Sequence, residues 1–217
     1  PVVAVSRAAQ NIGGSEIWLM AGHRYPLRDL LRASVVKSAN DAMYAVAERT
    51  APGNDVQQFV VVMNRRARQL GMSKARFRNV HGLPEPDRRD DNRASCRDLV
   101  VLALALRRYP EIWEWCKLDM VRFRHNNGKV VDMYNSNRRL LRHCSGVTGL
   151  KTGYTKTSGF CVTATCRRGG EQLIAVVTGF KNKNDRYLFV SRLFEWGYAR
   201  LPYLSAPTGS VAAPEME

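Results

Sequence analysis

GVTGLKTGYTKTSGF, residues Gly146–Phe160, lies where apolar residues have stopped recurring at helical spacing and the chain reads as extended. Lys151-Thr152-Gly153 occupies a strand-like position within it. Two further strands are predicted over Gly159–Thr165 and Gln172–Phe180, joined through Arg167-Arg168-Gly169-Gly170. Just upstream, Val121–Arg124 and Lys129–Met133 flank Asn126-Asn127-Gly128, a strong hairpin signal because Asn and Gly accept the positive φ of a tight turn. Downstream, Asp185–Tyr198 reads as a closing helix carrying Leu188, Phe189, Leu193, Phe194 and Trp196.

The first half is helical instead. Apolar residues recur at Leu27, Leu30 and Leu31, then at Met43, Val46 and Ala47, and Pro26 suits a first-turn position. The intervening Lys37-Ser38-Ala39-Asn40-Asp41 is polar, with cap-type residues at 38, 40 and 41, so two helices are expected to meet there at an exposed corner. Asp55 with Gln58 predicts a capping box for a helix running to Leu70, and Gly71 is its stop signal. Ser95, with Asp98 three residues on, starts another helix bearing Leu99, Leu102 and Leu106, closely followed by Pro110. Helices first, then an antiparallel sheet with a flanking C-terminal helix, make an α+β domain. Residues 1–201 are expected to form it, and the Pro-, Ser- and Ala-rich residues 202–217 to form a linker or disordered tail.

With 217 residues, 45% of them hydrophobic, the chain can bury one sizeable core. The excess of 34 Lys+Arg over 19 Asp+Glu gives a net charge of +15, which favours anionic partners such as lipid headgroups or acidic wall polymers. The basic residues are dispersed in pairs such as Arg65-Arg66 and Arg138-Arg139, and no nucleic-acid motif accompanies them, so no nucleic-acid partner is expected. No signal peptide or transmembrane run is present, and the start at Pro1 rather than Met is read as a processed or truncated N-terminus. Cys96, Cys116, Cys144, Cys161 and Cys166 form no CxxC pair. Cys161 and Cys166 stand at odd separation in one strand, on opposite faces, which argues against a local bridge or a shared metal.

Two triplets carry chemistry. Ser38-Ala39-Asn40 is an S-x-N at a helix corner and Lys151-Thr152-Gly153 a K-T-G on a strand. Together with S-x-x-K these are the signature of penicillin-binding proteins and class A β-lactamases. Ser38 can relay a proton, Asn40 can hold a substrate amide, and Lys151 and Thr152 offer a cation and a hydroxyl to a carboxylate. Gly153 lets a substrate backbone approach the strand edge. Catalytic roles are therefore expected for Ser38 and Lys151, and substrate binding for Asn40, Lys151, Thr152 and Gly153. His81 in its Gly-Leu-Pro turn reads as a structural or rim residue. His23, His125 and His143 show no metal-ligand spacing, so neither metal nor cofactor is expected.

The longer contexts are similar to those of serine D-alanyl-D-alanine carboxypeptidases, the low-molecular-mass penicillin-binding proteins. LLRASVVKSANDAMYAVAE (Leu30–Glu48) resembles their S-x-N helix pair, and Gly146–Phe160 their K-T-G strand. Asn79–Pro84 and Asn135–Arg138 resemble intervening segments, in the same order along Val3–Tyr198. The resemblance implies an acyl-enzyme mechanism on peptidoglycan stem peptides, acylation by β-lactams, an extracytoplasmic location and peripheral membrane association. It also places the nucleophile's S-x-x-K helix well upstream of S-x-N, before Pro1, so this chain is expected to be inactive by itself. Ser34-Val35-Val36-Lys37 fits the S-x-x-K spacing but abuts Ser38 in one helix, and both residues are read as ordinary helix positions. Thr148 stands where the family usually has an acidic residue and is expected to support the strand. A non-catalytic peptidoglycan- or polyanion-binding module, a β-lactamase and an endopeptidase remain alternatives.

Overall fold

The structure, a computed structural model, describes residues 1–84, 87 and 91–204. Two short antiparallel ladders bracket the helical part: β1 (Val2–Ala4) pairs with β2 (Arg24–Pro26), and β3 (Met120–Arg124) with β4 (Val130–Tyr134). Between β1 and β3 run α1 (Arg7–Gln10), α2 (Leu27–Val36), α3 (Asn40–Thr50), α4 (Val56–Gln69), α5 (Cys96–Leu106) and α6 (Pro110–Lys117). After the short α7 (Arg138–His143) comes the main sheet, β5 (Val147–Thr155), β6 (Gly159–Arg168) and β7 (Glu171–Phe180), antiparallel in the order β5-β6-β7. A long helix, α8 (Lys183–Leu204), ends the described residues and carries Pro202 in its last turn; residues 202–204 of the expected tail are thus helical, and residues 205–217 lie outside the described residues. This is the α+β arrangement read from the sequence.

Three clusters hold the elements together. Leu30, Ala33 and Val36 line one side of α2 and are fully buried. In α3 the matching positions are Ala42, Ala45 and Val46, and small residues let helices approach closely. Tyr25, Phe123 and Met133 from the two ladders fill the rest of this core. Along β6, Val162, Ala164 and Cys166 alternate onto the face covered by Val190 and Phe194 of α8. Complete burial of a side chain such as Phe194 contributes roughly 1.5–3 kcal/mol. On the other side, Ala103 of α5 and Trp113 and Cys116 of α6 pack with Leu150 of β5. α6 comes so near the strand that a Cβ at Gly149 would sit 2.8 Å from the Cβ of Cys116.

Local signals hold where they are self-contained. Ser95 and Asp98 make both bonds of a capping box at α5. Burial pushes the Asp98 carboxyl upward, but its hydrogen bonds to Ser95 and the Lys74 backbone outweigh that and hold it below the usual carboxylate range. The box expected at α4 is not made: Asp55 caps the helix through Gln57 N at 2.8 Å, one position short of Gln58, and Gln58 returns no side-chain bond. Pro26 is the N-cap of α2, one residue before its first turn. Pro110, which the sequence offers as a stop after α5, opens α6, the N1 position its fixed φ suits.

The corner between α2 and α3 is a correction. It is not exposed: Ala39 and Asn40 are buried and Asp41 is completely so. Ser38 and Asn40 are not caps, because the N-cap of α3 is Ala39, with no side-chain bond. The polar residues are turned inward, under the loop that precedes β2. Asp41 accepts from Ile17 N at 3.3 and 3.2 Å, from Leu19 N at 3.0 Å and from Ala42 N at 2.9 Å. A buried carboxylate surrounded by backbone donors has its charge satisfied without a cation.

Candidate active site

Asp41 fixes the loop, and the loop fixes the corner. Asn40 N donates to Ser15 O at 2.7 Å, Asn40 Nδ2 to Gly13 O at 2.9 Å, and Ser15 Oγ to Lys37 O at 3.0 Å. Gly14 makes this possible, since a Cβ there would lie 2.5 Å from Asn40 Nδ2. From the other side, Ser136 N donates to Val36 O at 3.0 Å, while Asn135 Nδ2 donates to Cys116 O and Leu118 O. Asn137 Nδ2 reaches Gly149 O at 3.2 Å. The Asn135–Asn137 segment thus joins the end of α2, α6 and the start of β5, setting the S-x-N corner opposite the K-T-G strand. Thr148, as expected, supports that strand through Thr165 Oγ1 at 2.8 Å.

Lys151 meets Ser38 across 113 residues of sequence: its Nζ donates to Ser38 Oγ at 2.7 Å and to Thr152 O at 2.9 Å. Among the described residues it has no carboxylate partner, and burial lowers its pKa to about 8. Ser38 has φ 63°, so its hydroxyl is presented from a left-handed backbone position rather than from a helix. The corner and the strand edge open onto a cleft of about 1140 Å3 that Asn40, Thr152 and Gly153 also line. Position 153 has room for a side chain, since a Cβ added there would meet nothing nearer than Cys161 Cβ at 4.0 Å. A demand for glycine there comes from whatever lies along the strand, not from the fold.

Ser34 and Lys37 also line the cleft, but they form no pair. Ser34 Oγ donates back to Leu30 O at 2.9 Å, and Lys37 is the C-cap of α2. His81 lines the rim with its Nδ1 accepting from Leu83 N at 3.1 Å, which holds its turn. His23 and His125 meet at the Tyr25 hydroxyl, their Nδ1 atoms 3.3 and 3.1 Å from it, whereas His81 is at the cleft rim and His143 ends α7, so the four do not form one group. The five cysteines are unpaired; Cys161 faces the cleft and Cys166 the core under α8.

One cleft residue carries no signal in the sequence. Arg186, in the first turn of α8, is partly buried, which pulls its guanidinium pKa down. Its Nη1 donates to Cys161 O at 3.0 Å, and among the described residues its buried Nε has no hydrogen-bond partner. A desolvated guanidinium facing a cleft with one carbonyl for company is suited to an incoming carboxylate. Asp41 reads from the sequence only as a capping residue. Nothing local in either sequence context marks these roles, because both depend on contacts far along the chain.

The chain matches the D-alanyl-D-alanine carboxypeptidase family over residues 1–182. It is 31% identical over 198 residues to the D-alanyl-D-alanine carboxypeptidase DacF of Bacillus subtilis, covering 91% of this chain and 49% of that protein. Penicillin binding protein 6B from Escherichia coli superposes with a TM-score of 0.80 at 34% identity, covering 91% of this chain and 61% of that one. Penicillin-binding protein D2 from Listeria monocytogenes, solved in its ampicillin-bound form, gives 0.70 at 27% identity, with coverages of 91% and 76%. The chain spans about half the length of the curated relatives it matches. With the family matched along most of its length and the S-x-N corner facing the K-T-G strand, this chain belongs to the D-alanyl-D-alanine carboxypeptidase family.

Proposed function

We propose that the cleft performs acyl transfer on peptidoglycan stem peptides ending in D-Ala-D-Ala, outside the cytoplasmic membrane. The observation that carries this reading is the contact of Lys151 with Ser38, a cation on a hydroxyl with no carboxylate partner among the described residues. A lysine whose pKa lies at about 8 is charged yet exchanges its proton near neutral pH, as a proton relay requires. The attacking serine forms a C–O bond at the penultimate D-alanine carbonyl, and the C–N bond to the last residue breaks. The serine proton passes to the departing amine through Ser38 and Lys151, and water then cleaves the ester. Asn40 holds the substrate amide, Gly153 gives the peptide backbone access to the strand, and Thr152 and Arg186 receive the terminal carboxylate. The β-lactams, which mimic that peptide, acylate the same serine; the ampicillin-bound relative supports this.

Ser34 does not serve as that nucleophile, because its hydroxyl is engaged within α2 and its i+3 partner caps the helix. The reacting serine is assigned to the family's S-x-x-K helix, which Ser34–Lys37 does not supply, and these 217 residues are expected not to acylate without it. Labelling with a fluorescent penicillin tests both points, on this chain and on one preceded by such a helix. Labelling of the extended chain alone is the expected result. Labelling of this chain at Ser34 would overturn the assignment of the nucleophile. No labelling of either would favour a binding module that keeps Asn40 and Lys151 without the chemistry. Rapid turnover of the acyl adduct would point to a β-lactamase, and release of cross-linked dimers to an endopeptidase.

A further inference from the structure

α7 carries Arg138, Arg139 and Arg142 within six residues and ends at His143. With Tyr187 of α8 these side chains line an open hollow of about 640 Å3, and none of the five belongs to the cleft. Like charges on one short helix repel, so a fold indifferent to this cluster gains nothing by keeping it. One carboxylate answers it from behind: Asp119 accepts from Arg138 Nε at 2.9 Å and from Arg142 Nε and Nη2 at 2.8 Å, and it does not line the hollow. Arg139 has no carboxylate partner among the described residues. Its guanidinium lies 4.6 Å over the Tyr187 ring and donates to Asn184 Oδ1. Arg138 lies 4.4 Å over the Tyr134 ring.

Each guanidinium is therefore fixed by a ring, an amide or Asp119, and each keeps donors unused by those contacts, since arginine carries five N–H groups. Three pre-positioned forks around one hollow lose little side-chain entropy when a ligand arrives. A carboxylate presents two oxygens to such forks, whereas a phosphate group presents several and accepts from more than one guanidinium at once.

We propose that the α7 hollow is a binding site for a phosphate group, carried as a phosphomonoester or phosphodiester and gripped by Arg138, Arg139 and Arg142. The same chemistry occurs on soluble phosphates and on lipid headgroups. The site does not depend on the acyl-transfer reading, since it shares no residue with the cleft.

Calorimetric titration with inorganic phosphate tests the site, and co-sedimentation with phosphatidylcholine vesicles, with and without phosphatidylglycerol, separates the two sources. The variants are Arg139→Gln with Arg142→Gln, and a charge-matched control, Arg65→Gln with Arg66→Gln, on exposed positions of α4. Saturable binding at one site per chain is expected, weakened by about tenfold or more in the α7 variant, as loss of charge-assisted bonds implies. The control is expected to stay within about twofold, because distant exposed charges are screened. Should the double variant unfold, Arg139→Gln alone breaks no ion pair and gives the same readout. Phosphate binding without response to anionic vesicles assigns a soluble ligand; binding of both, lost together in the α7 variant, assigns a headgroup. Equal loss in the two variant pairs, or no saturable phosphate binding, overturns the proposal.

Discussion

Lys151 in the cleft and the Arg138–Arg142 pair on α7 are cations held by short hydrogen bonds, yet among the described residues only the second has a carboxylate. Lys151 contacts a hydroxyl and a carbonyl, and burial brings its pKa to about 8. Arg142 and Arg138 share Asp119 near the surface, where their hydrogen bonds hold the Asp119 carboxyl below its usual range. The difference teaches what each arrangement is good for. An ion pair fixes geometry and quiets titration, while a desolvated cation without a counter-ion stays ready to give up its proton. Arg186 stands between them, partly buried, with a carbonyl and the Phe160 ring as its neighbours.

The contrast is most exposed to failure at Lys151. In the extended chain that takes up penicillin, Lys151→Met is expected to slow acylation by about 10²–10³-fold, the scale of losing one polar group aimed at the reacting centre. Stopped-flow labelling measures this, and an unchanged rate would break the contrast outright.

Stability against pH gives the next largest effect. Folded Lys151 releases its proton at about pH 8 and the unfolded residue near 10.5. Between those values the unfolded chain binds more protons, so stability rises with pH, by about 3 kcal/mol across the window. Cys116, whose thiol burial pushes up to about 11, works the other way above pH 9, because there the folded state keeps the extra proton. The informative quantity is therefore the difference between denaturation curves of the parent chain and Lys151→Met. A flat difference from pH 8 to 10.5 would mean that the ammonium is not desolvated.

In the same extended chain, Arg186→Gln sharpens the comparison with a smaller effect, about tenfold in kcat/KM for a peptide with a free terminal carboxylate, close to one charge-assisted bond. The same peptide capped as an amide should hardly respond; equal losses on both would remove Arg186 from carboxylate binding. Smallest is Asp119→Asn. Its ion pairs lie near the surface, and thermal melts should show at most about 1 kcal/mol of destabilisation. A much larger loss would place the α7 cluster among the supports of the fold rather than on its surface.

Sequence reading goes furthest where a signal is complete within a few residues. Ser95 with Asp98, Gly71 after α4 and Asn127-Gly128 between β3 and β4 each declare themselves locally, and each stands where its local pattern puts it. The two triplets are legible because residue type and order carry them. Three things are not. The corner looks exposed because four polar residues within five usually are, and its cover, the loop at Gly13–Leu19, has no pattern that predicts docking there. The lowered pKa of Lys151 is a property of what packs around it. Arg186 reads as one more basic residue on a solvated helix until β6 is folded beside it.

Ser38 spends its place in the molecule at φ 63°, a backbone conformation that costs most side chains about 1 kcal/mol or more and glycine almost nothing. Relief of that strain and retention of the hydroxyl are therefore opposed at a single codon. A library sorted on melting temperature alone would drift toward glycine at position 38, and its most heat-resistant members would have lost the oxygen that meets Lys151.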